Sequence, residues 1–184
     1  PIYGFQWRHF NAEYHGCSED YKNQGIDQLA YVINSLKDPD KRTSRRLIIS
    51  AWNPCQINKM ALPPCHVLMQ FNIRDGKYLS CSLYQRSGDI GLGVPFNISS
   101  YSFLTHILAL HCGLEADKFI YNLGNAHIYE DHLNVLQQQI EREPYVFPTI
   151  NISNKRDNIE DYVVEDFIIN NYRSHEKIKM EMKK

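Results

Sequence analysis

Apolar and polar positions change period several times along the chain, and each change marks an element. Between Lys22 and Lys37, Ile26, Leu29, Ile33 and Leu36 recur at helical spacing, which predicts an amphipathic helix. The polar, Pro-containing run from Asp38 to Ser44 ends it. Arg46 to Trp52 is a short apolar run and reads as a buried strand. His66 to Ile73 and Tyr78 to Tyr84 flank Asp75-Gly76, a strong hairpin signal. Asn97 to Cys112 is apolar and helical, with Asn97 as its expected cap and Gly113 as its stop. Ile120 to Tyr129 reads as a strand with Gly124 inside it, and Asp131 to Arg142 as a surface helix. Thr149 to Ile152 and Val163 to Ile169 read as short strands between polar turns. Strands and helices mix without strict alternation. An α+β, mixed α/β layer architecture is expected, not a doubly wound parallel sheet.

Length and composition narrow the classes. A chain of 184 residues suits one domain, spanning 1–184. The net charge of −1 argues against nucleic acid or an anionic membrane as the main partner, because neutralising many phosphates takes a basic excess. No stretch approaches about 20 continuous apolar residues. Five cysteines (Cys17, Cys55, Cys65, Cys81 and Cys112) at irregular spacing suggest neither a disulfide framework nor a zinc site, so a reducing, cytoplasmic setting is expected. The glycines of Gly88-Asp89-Ile90-Gly91-Leu92-Gly93 have the wrong spacing for a dinucleotide fingerprint, so no NAD(P) site is expected. The opening at Pro1-Ile2-Tyr3-Gly4 reads as the middle of a longer polypeptide.

Few residues suggest chemistry by themselves. Cys65, in Pro63-Pro64-Cys65-His66, is either a buried inert thiol or a nucleophile, and a nucleophile needs positive charge from elsewhere in the fold. Arg45, Arg46 and Arg86, with Ser87, stand at the ends of apolar runs. Each is either an ordinary surface residue or part of an anion site. Asn97 is a cap or a reader of a base with adjacent N–H and C=O groups. His127 and Tyr129, two apart, share a strand face and either pack or hold a sugar hydroxyl.

Taken in order, the motifs are far more specific. Pro1-Ile2-Tyr3-Gly4-Phe5-Gln6-Trp7-Arg8, Ser44-Arg45-Arg46, Ala51-Trp52-Asn53 and Met60-Ala61-Leu62-Pro63-Pro64-Cys65-His66 come first. Tyr84-Gln85-Arg86-Ser87-Gly88-Asp89, Leu92-Gly93-Val94-Pro95-Phe96-Asn97-Ile98, Gly124-Asn125-Ala126-His127-Ile128-Tyr129 and Ile178-Lys179-Met180-Glu181-Met182 follow. Over its full length the chain resembles thymidylate synthase.

The resemblance implies a large mixed sheet with helices on one face and a homodimer formed through the other. It implies reductive methylation of dUMP to dTMP, with 5,10-methylenetetrahydrofolate giving both carbon and hydride, and with no metal. Cys65 would add to C6 of dUMP. Arg86 and Ser87 would bind its phosphate, joined by Arg45 and Arg46 from the other subunit. His66, Gln85, Asp89 and Asn97 would complete the dUMP site, with His127 and Tyr129 on the ribose. Asp89 would also meet the pterin ring. Leu92, Gly93 and Phe96 would line the folate pocket, Met180 would close over it, and Tyr3 would join the hydrogen bonds near the base. Asn97 favours uracil over cytosine, because one amide satisfies N3–H and O4 together. Roughly the first third of a family catalytic domain would precede Pro1, in some members behind a fused dihydrofolate reductase. A binding module that holds nucleotide without turnover is the alternative of a different class. A cysteine hydrolase is disfavoured, since His66 adjoins Cys65 and would point to the opposite face of a strand.

Overall fold

In the computed structural model, which describes residues 1–183, the elements follow the order α1 (Gly4–Arg8), α2 (Gln28–Lys37), β1 (Ile48–Ser50), β2 (His66–Arg74), β3 (Tyr78–Asp89), α3 (Gly93–His111), β4 (Glu115–His127), α4 (Leu133–Ile140), β5 (Thr149–Ile152) and β6 (Phe167–Asn170). A four-stranded sheet runs β1-β2-β3-β4, and β5 pairs with β6 apart from it. The β1–β2 and β2–β3 pairs are antiparallel, whereas β3 and β4 are parallel, with α3 as their crossover. The architecture is the expected mixed α/β layering.

The β2–β3 hairpin forms as its sequence predicts. Asp75 and Gly76 both take positive φ, 53° and 66°, and the Lys77 N–H donates to the Arg74 carbonyl. β3 then runs on to Asp89, well past Tyr84, because β4 continues to pair with it from Tyr78 to Asp89. Alternation decides which face is dry. Leu79, Cys81 and Leu83 of β3 join Met69 and Phe71 of β2 and Ile49 of β1 on the buried face. Val32, Ile33 and Leu36 of α2 and Tyr101, Leu108 and Cys112 of α3 close over them. Each large side chain buried there contributes about 1.5–3 kcal/mol. The opposite face carries Ile48, Leu68, Tyr84 and Ile120, all exposed in the single chain.

Several boundaries differ from the sequence reading. α2 starts at Gln28, not near Lys22, because Phe10 and Ile26 exchange two backbone hydrogen bonds at 3.0 Å. Gly25, at φ +67°, makes the approach possible: a Cβ there would lie 2.7 Å from the His9 and Phe10 backbone. Asp27 caps the helix by accepting from the Ala30 N–H. α3 starts four residues before Asn97, so Asn97 is not its cap. Its stop is as expected: Gly113 at φ +71° lets the Leu114 N–H reach the Ala109 carbonyl, a Schellman closure. β4 ends at His127, leaving Tyr129 just outside it, and the helix expected from Asp131 to Arg142 shrinks to α4 after a tight turn at Glu130–His132. The strand expected from Val163 starts only at Phe167, because Val164–Asp166 coil into a 3₁₀ turn.

That turn is fixed by one buried carboxylate. Asp166 accepts from Arg156 Nε and Nη2 at 2.9 and 2.7 Å and from the Val163 N–H at 3.1 Å. The guanidinium, first, and the Val163 N–H, second, hold its carboxyl down at about 2, against an ordinary 3.8. The unfolded chain therefore binds the extra proton between these values. The stabilisation is complete above the ordinary value and is lost as pH falls through about 2. Acid titration of unfolding should show Asp166→Asn removing part of the stability loss between pH 4 and 2. An unchanged slope would mean the pair holds nothing in place.

Candidate active site

The parallel β3–β4 pair brings two strand ends to one edge of the sheet, and α3 begins there. Most of the expected site residues collect around this edge. Cys65 lies in the loop just before β2, half-buried. That loop is held by its neighbours. The Arg86 N–H donates to the Cys65 carbonyl at 2.9 Å. Arg86 Nε and Nη2 donate to the carbonyls of Pro64 and Pro63 at 3.1 and 2.7 Å. The Cys65 N–H donates to the Tyr3 hydroxyl at 3.0 Å. Arg86 thus brings the positive charge that the local sequence around Cys65 lacked, and its guanidinium also sits 5.8 Å from the Trp52 ring centre.

Burial sorts the five thiols. It pushes Cys81 and Cys112 up to about 12 and about 11, so both stay protonated and inert in the core. Cys17 and Cys55 are exposed, away from Arg86's loop contacts. Cys65 alone follows directly on the two carbonyls that the guanidinium holds.

Gln85 organises the next layer. It is 2% exposed. Its Nε2 donates to the Ser87 carbonyl at 2.8 Å and to Asn97 Oδ1 at 3.0 Å, while its Oε1 accepts from the Tyr121 hydroxyl at 2.6 Å. A carbonyl can only accept, so the Ser87 contact fixes Nε2, and Nε2 in turn fixes which end of the Asn97 amide faces it. Asn97 therefore presents its oxygen to Gln85 and keeps its Nδ2 hydrogens for another acceptor. Tyr121 is pushed up to about 12, first by burial and then by the neighbouring Cys65, so it remains a donor at neutral pH. His66 packs 5.1 Å from Tyr3 and 5.2 Å from Tyr101, ring centre to centre. Burial lowers its pKa, which favours the neutral ring.

Gly124 matters here for space. A Cβ on it would lie 2.8 Å from the Tyr84 hydroxyl and 3.0 Å from the Arg86 carbonyl, so only glycine lets β4 approach β3 this closely beside Arg86. Further along the edge, Asp89 pairs with His127 and Ser87 with Asn125 in the parallel register. Asp89 Oδ1 accepts from the Gly91 N–H at 3.0 Å. The His127 and Tyr129 rings meet edge to face at 5.2 Å, although Tyr129 lies beyond the strand. Leu92 and Gly93 open α3, and Phe96 projects from its first turn, 70% exposed. Met180 is half-buried in the C-terminal tail.

Two residues stand apart. Arg45 and Arg46 precede β1, exposed, and Gln70 Nε2 donates to the Arg45 carbonyl. Gln70 is four residues along β2 from His66, roughly 13 Å. Within one chain the structure does not bring them to Arg86 and Ser87.

Residues that sequence reading passed over carry much of the geometry. Tyr121 fixes Gln85. His132 is 1% exposed and meets the tail. Under α1, Gln6, Asn53 and Gln56 form a buried amide cluster, with Gln6 Nε2 donating to Gln56 Oε1 at 2.7 Å and Gln56 Nε2 to the Ala12 carbonyl at 2.7 Å. The signal for Asn53 was present in Ala51-Trp52-Asn53, but no pattern in the sequence linked it to Gln6. Among the described residues no group of His, Cys, Asp and Glu has the arrangement of a metal site, and no helix is long and apolar enough to cross a membrane.

A thymidylate synthase family profile matches residues 1–184. Among curated relatives, the chain is 54% identical over 183 residues to a bifunctional dihydrofolate reductase-thymidylate synthase of Plasmodium berghei (strain Anka). It is 53% identical over 183 residues to thymidylate synthase of Homo sapiens and 52% over 182 residues to that of Ascaris suum. Each alignment covers 99% of this chain, but only 30%, 57% and 61% of those relatives respectively.

Tyr3 gives a direct test of how the Cys65 loop is held. Tyr3→Phe keeps the ring and removes the acceptor of the Cys65 N–H, which leaves a partly buried donor unpaired at a cost of about 1–3 kcal/mol. Alkylation of Cys65 by iodoacetamide, followed by peptide mapping, should quicken several-fold relative to Cys17. Equal rates in the two proteins would show that the loop does not depend on this contact.

Proposed function

The chain belongs to the thymidylate synthase family, and from that premise we propose that it forms the nucleotide-binding catalytic part of an enzyme that converts dUMP to dTMP with 5,10-methylenetetrahydrofolate, releasing dihydrofolate. The observation that carries this reading is the Cys65 loop tied to Arg86 beside the Gln85–Asn97 amide pair. A thiol, a fixed cation and a base-reading amide converge there on one sheet edge.

The Cys65 thiolate adds to C6 of the uracil, which makes C5 nucleophilic. C5 takes the one-carbon unit from the folate. Loss of the C5 proton, with cleavage of the bond to the folate nitrogen, leaves an exocyclic methylene and tetrahydrofolate. Hydride from the tetrahydrofolate reduces that methylene to methyl as the C6–Cys65 bond breaks, giving dTMP, dihydrofolate and the free Cys65 thiolate. Arg86 spends Nε and Nη2 on the Pro63 and Pro64 carbonyls, so its Nη1 edge faces the nucleotide phosphate beside Ser87. Asn97 donates from Nδ2 to O4 and accepts N3–H on the remaining lone pair of Oδ1. His127 and Tyr129 hold the ribose hydroxyl. Asp89 meets the pterin, Leu92, Gly93 and Phe96 line the folate pocket, and Met180 covers it.

Arg45 and Arg46 reach the phosphate from a second copy of the chain. What supports this part is their distance from Arg86 within one chain, together with the bare sheet face that carries Ile48, Leu68, Tyr84 and Ile120. A homodimer built on that face buries those four side chains. The chain spans 57% of its human relative, and we assign the rest of the site, including any proton relay, to polypeptide outside residues 1–184.

Intact-mass analysis with 5-fluoro-dUMP and methylenetetrahydrofolate tests the reading. The natural polypeptide should form a covalent ternary adduct that maps to Cys65. Cys65→Ser should abolish it and lower turnover at least roughly 10³-fold. The 184-residue segment alone should form none. Reversible dUMP binding without an adduct in the natural polypeptide would make this a binding module instead.

A further inference from the structure

We propose that His132 is a positioning residue for the folate side of the site, pinning the C-terminal tail against the turn that carries Asp89. The inference rests on the functional reading above for the identity of the folate, but the contact itself stands on geometry alone.

The His132 ring is buried at the start of α4, and its Nε2 lies 2.8 Å from the backbone carbonyl of Glu181. A carbonyl only accepts, so Nε2 must carry the hydrogen, and in the neutral ring Nδ1 is then the bare nitrogen. Nδ1 has no hydrogen-bond partner among the described residues. It faces the backbone of the turn after β3: a Cβ built on Gly91 would lie 3.5 Å from it and 3.2 Å from Leu136 Cδ1. Gly91 is itself bound through its N–H to Asp89. One edge of the ring therefore abuts the turn that sets Asp89, Leu92 and Gly93, and the other holds the backbone beside Met180. Tyr129 packs edge to face on His132 at 5.6 Å and on His127 at 5.2 Å, which extends the same unit to the ribose side.

The tail has few other ties. Lys183 pairs with Asp131 at 2.6 Å, but both side chains are at least one-third exposed, and such pairs contribute little in water. Arg142 Nη1 donates to the Glu176 carbonyl at 2.8 Å, further from the site. The buried His132 bond is thus the contact that sets where residues 180–182 lie.

The test uses the natural polypeptide. His132→Phe keeps a flat ring and removes the donor, and His132→Gln returns a donor near the same place. His132→Phe should raise KM for methylenetetrahydrofolate roughly 10-fold while the Kd of dUMP changes less than about two-fold. Trypsin should cut after Lys177 and Lys179 roughly 10-fold faster in His132→Phe, and His132→Gln should restore most of both effects. Asp131→Asn should change neither by more than about two-fold. A folate KM and a cleavage rate both unchanged in His132→Phe would overturn the proposal. If His132→Phe does not fold, nitrogen-15 NMR of the wild-type histidines decides instead: an Nε2–H tautomer at His132 supports the tether, and an Nδ1–H tautomer overturns it. Proteolysis and tautomer judge the tether even if the wild-type protein fails to methylate dUMP, a failure that would count against the functional reading alone.

Discussion

The site depends on how a loop without strand pairing is kept in place. Residues 61–65 contain two prolines and so lack two backbone donors, and they precede the first ladder bond of β2. Their carbonyls need donors, and Arg86 supplies three of them from one residue: its backbone N–H to Cys65, and its Nε and Nη2 to Pro64 and Pro63. Because Arg86 is inside β3, where β4 runs alongside it, the loop inherits the rigidity of that strand pair. The charge nearest the Pro63-Pro64 turn and the donors that hold the loop are thus the same side chain. An Arg-to-Lys change there would keep the charge and lose the fork, which is why the two residues are not equivalent at this position.

Rigidity of β3 in turn depends on β4. A parallel partner requires a crossover, and α3 provides it while covering the buried face. Gly124 allows the two backbones to meet beside Arg86, and Tyr121 reaches across from β4 to orient Gln85. Catalytic geometry on β3 is therefore a property of the strand pair. The amide cluster of Gln6, Asn53 and Gln56 does the same for the other wall of the loop. It anchors α1, and α1 follows Tyr3, whose hydroxyl accepts from the Cys65 N–H.

Periodicity made the sheet legible, because alternation in β2 and β3 and the Asp75-Gly76 turn are local signals. The ends of elements were less legible where the deciding contact is remote. The late start of α2 depends on Phe10 meeting Ile26, sixteen residues apart. Asn97 looked like a cap because asparagine before an apolar run usually is one. Its amide is instead committed to Gln85, on another element. Motif resemblance named the residues expected to touch ligands, since those recur as short runs. It passed over Tyr121 and His132, whose work is to hold other groups and whose partners lie 36 and 49 residues away.

The same distinction explains why Arg45 and Arg46 differ from the rest. Every other expected nucleotide contact lies on β3, β4, the Cys65 loop, the start of α3 or the turn after β4, and packing within one chain suffices to assemble it. The two arginines sit before the edge strand β1, beside the middle of β2. Their side of the sheet carries Ile48, Leu68, Tyr84 and Ile120 in adjacent rows, at 40%, 37%, 44% and 43% exposure, interleaved with Gln70 and Ser82. An apolar patch of this kind, interleaved with polar side chains, marks a surface fit to meet another protein surface. Covering it with its own twofold copy brings a second pair of arginines to the molecule's surface opposite the first. In the homodimer proposed above, the constraint that buries this face would also be the one that completes the phosphate site.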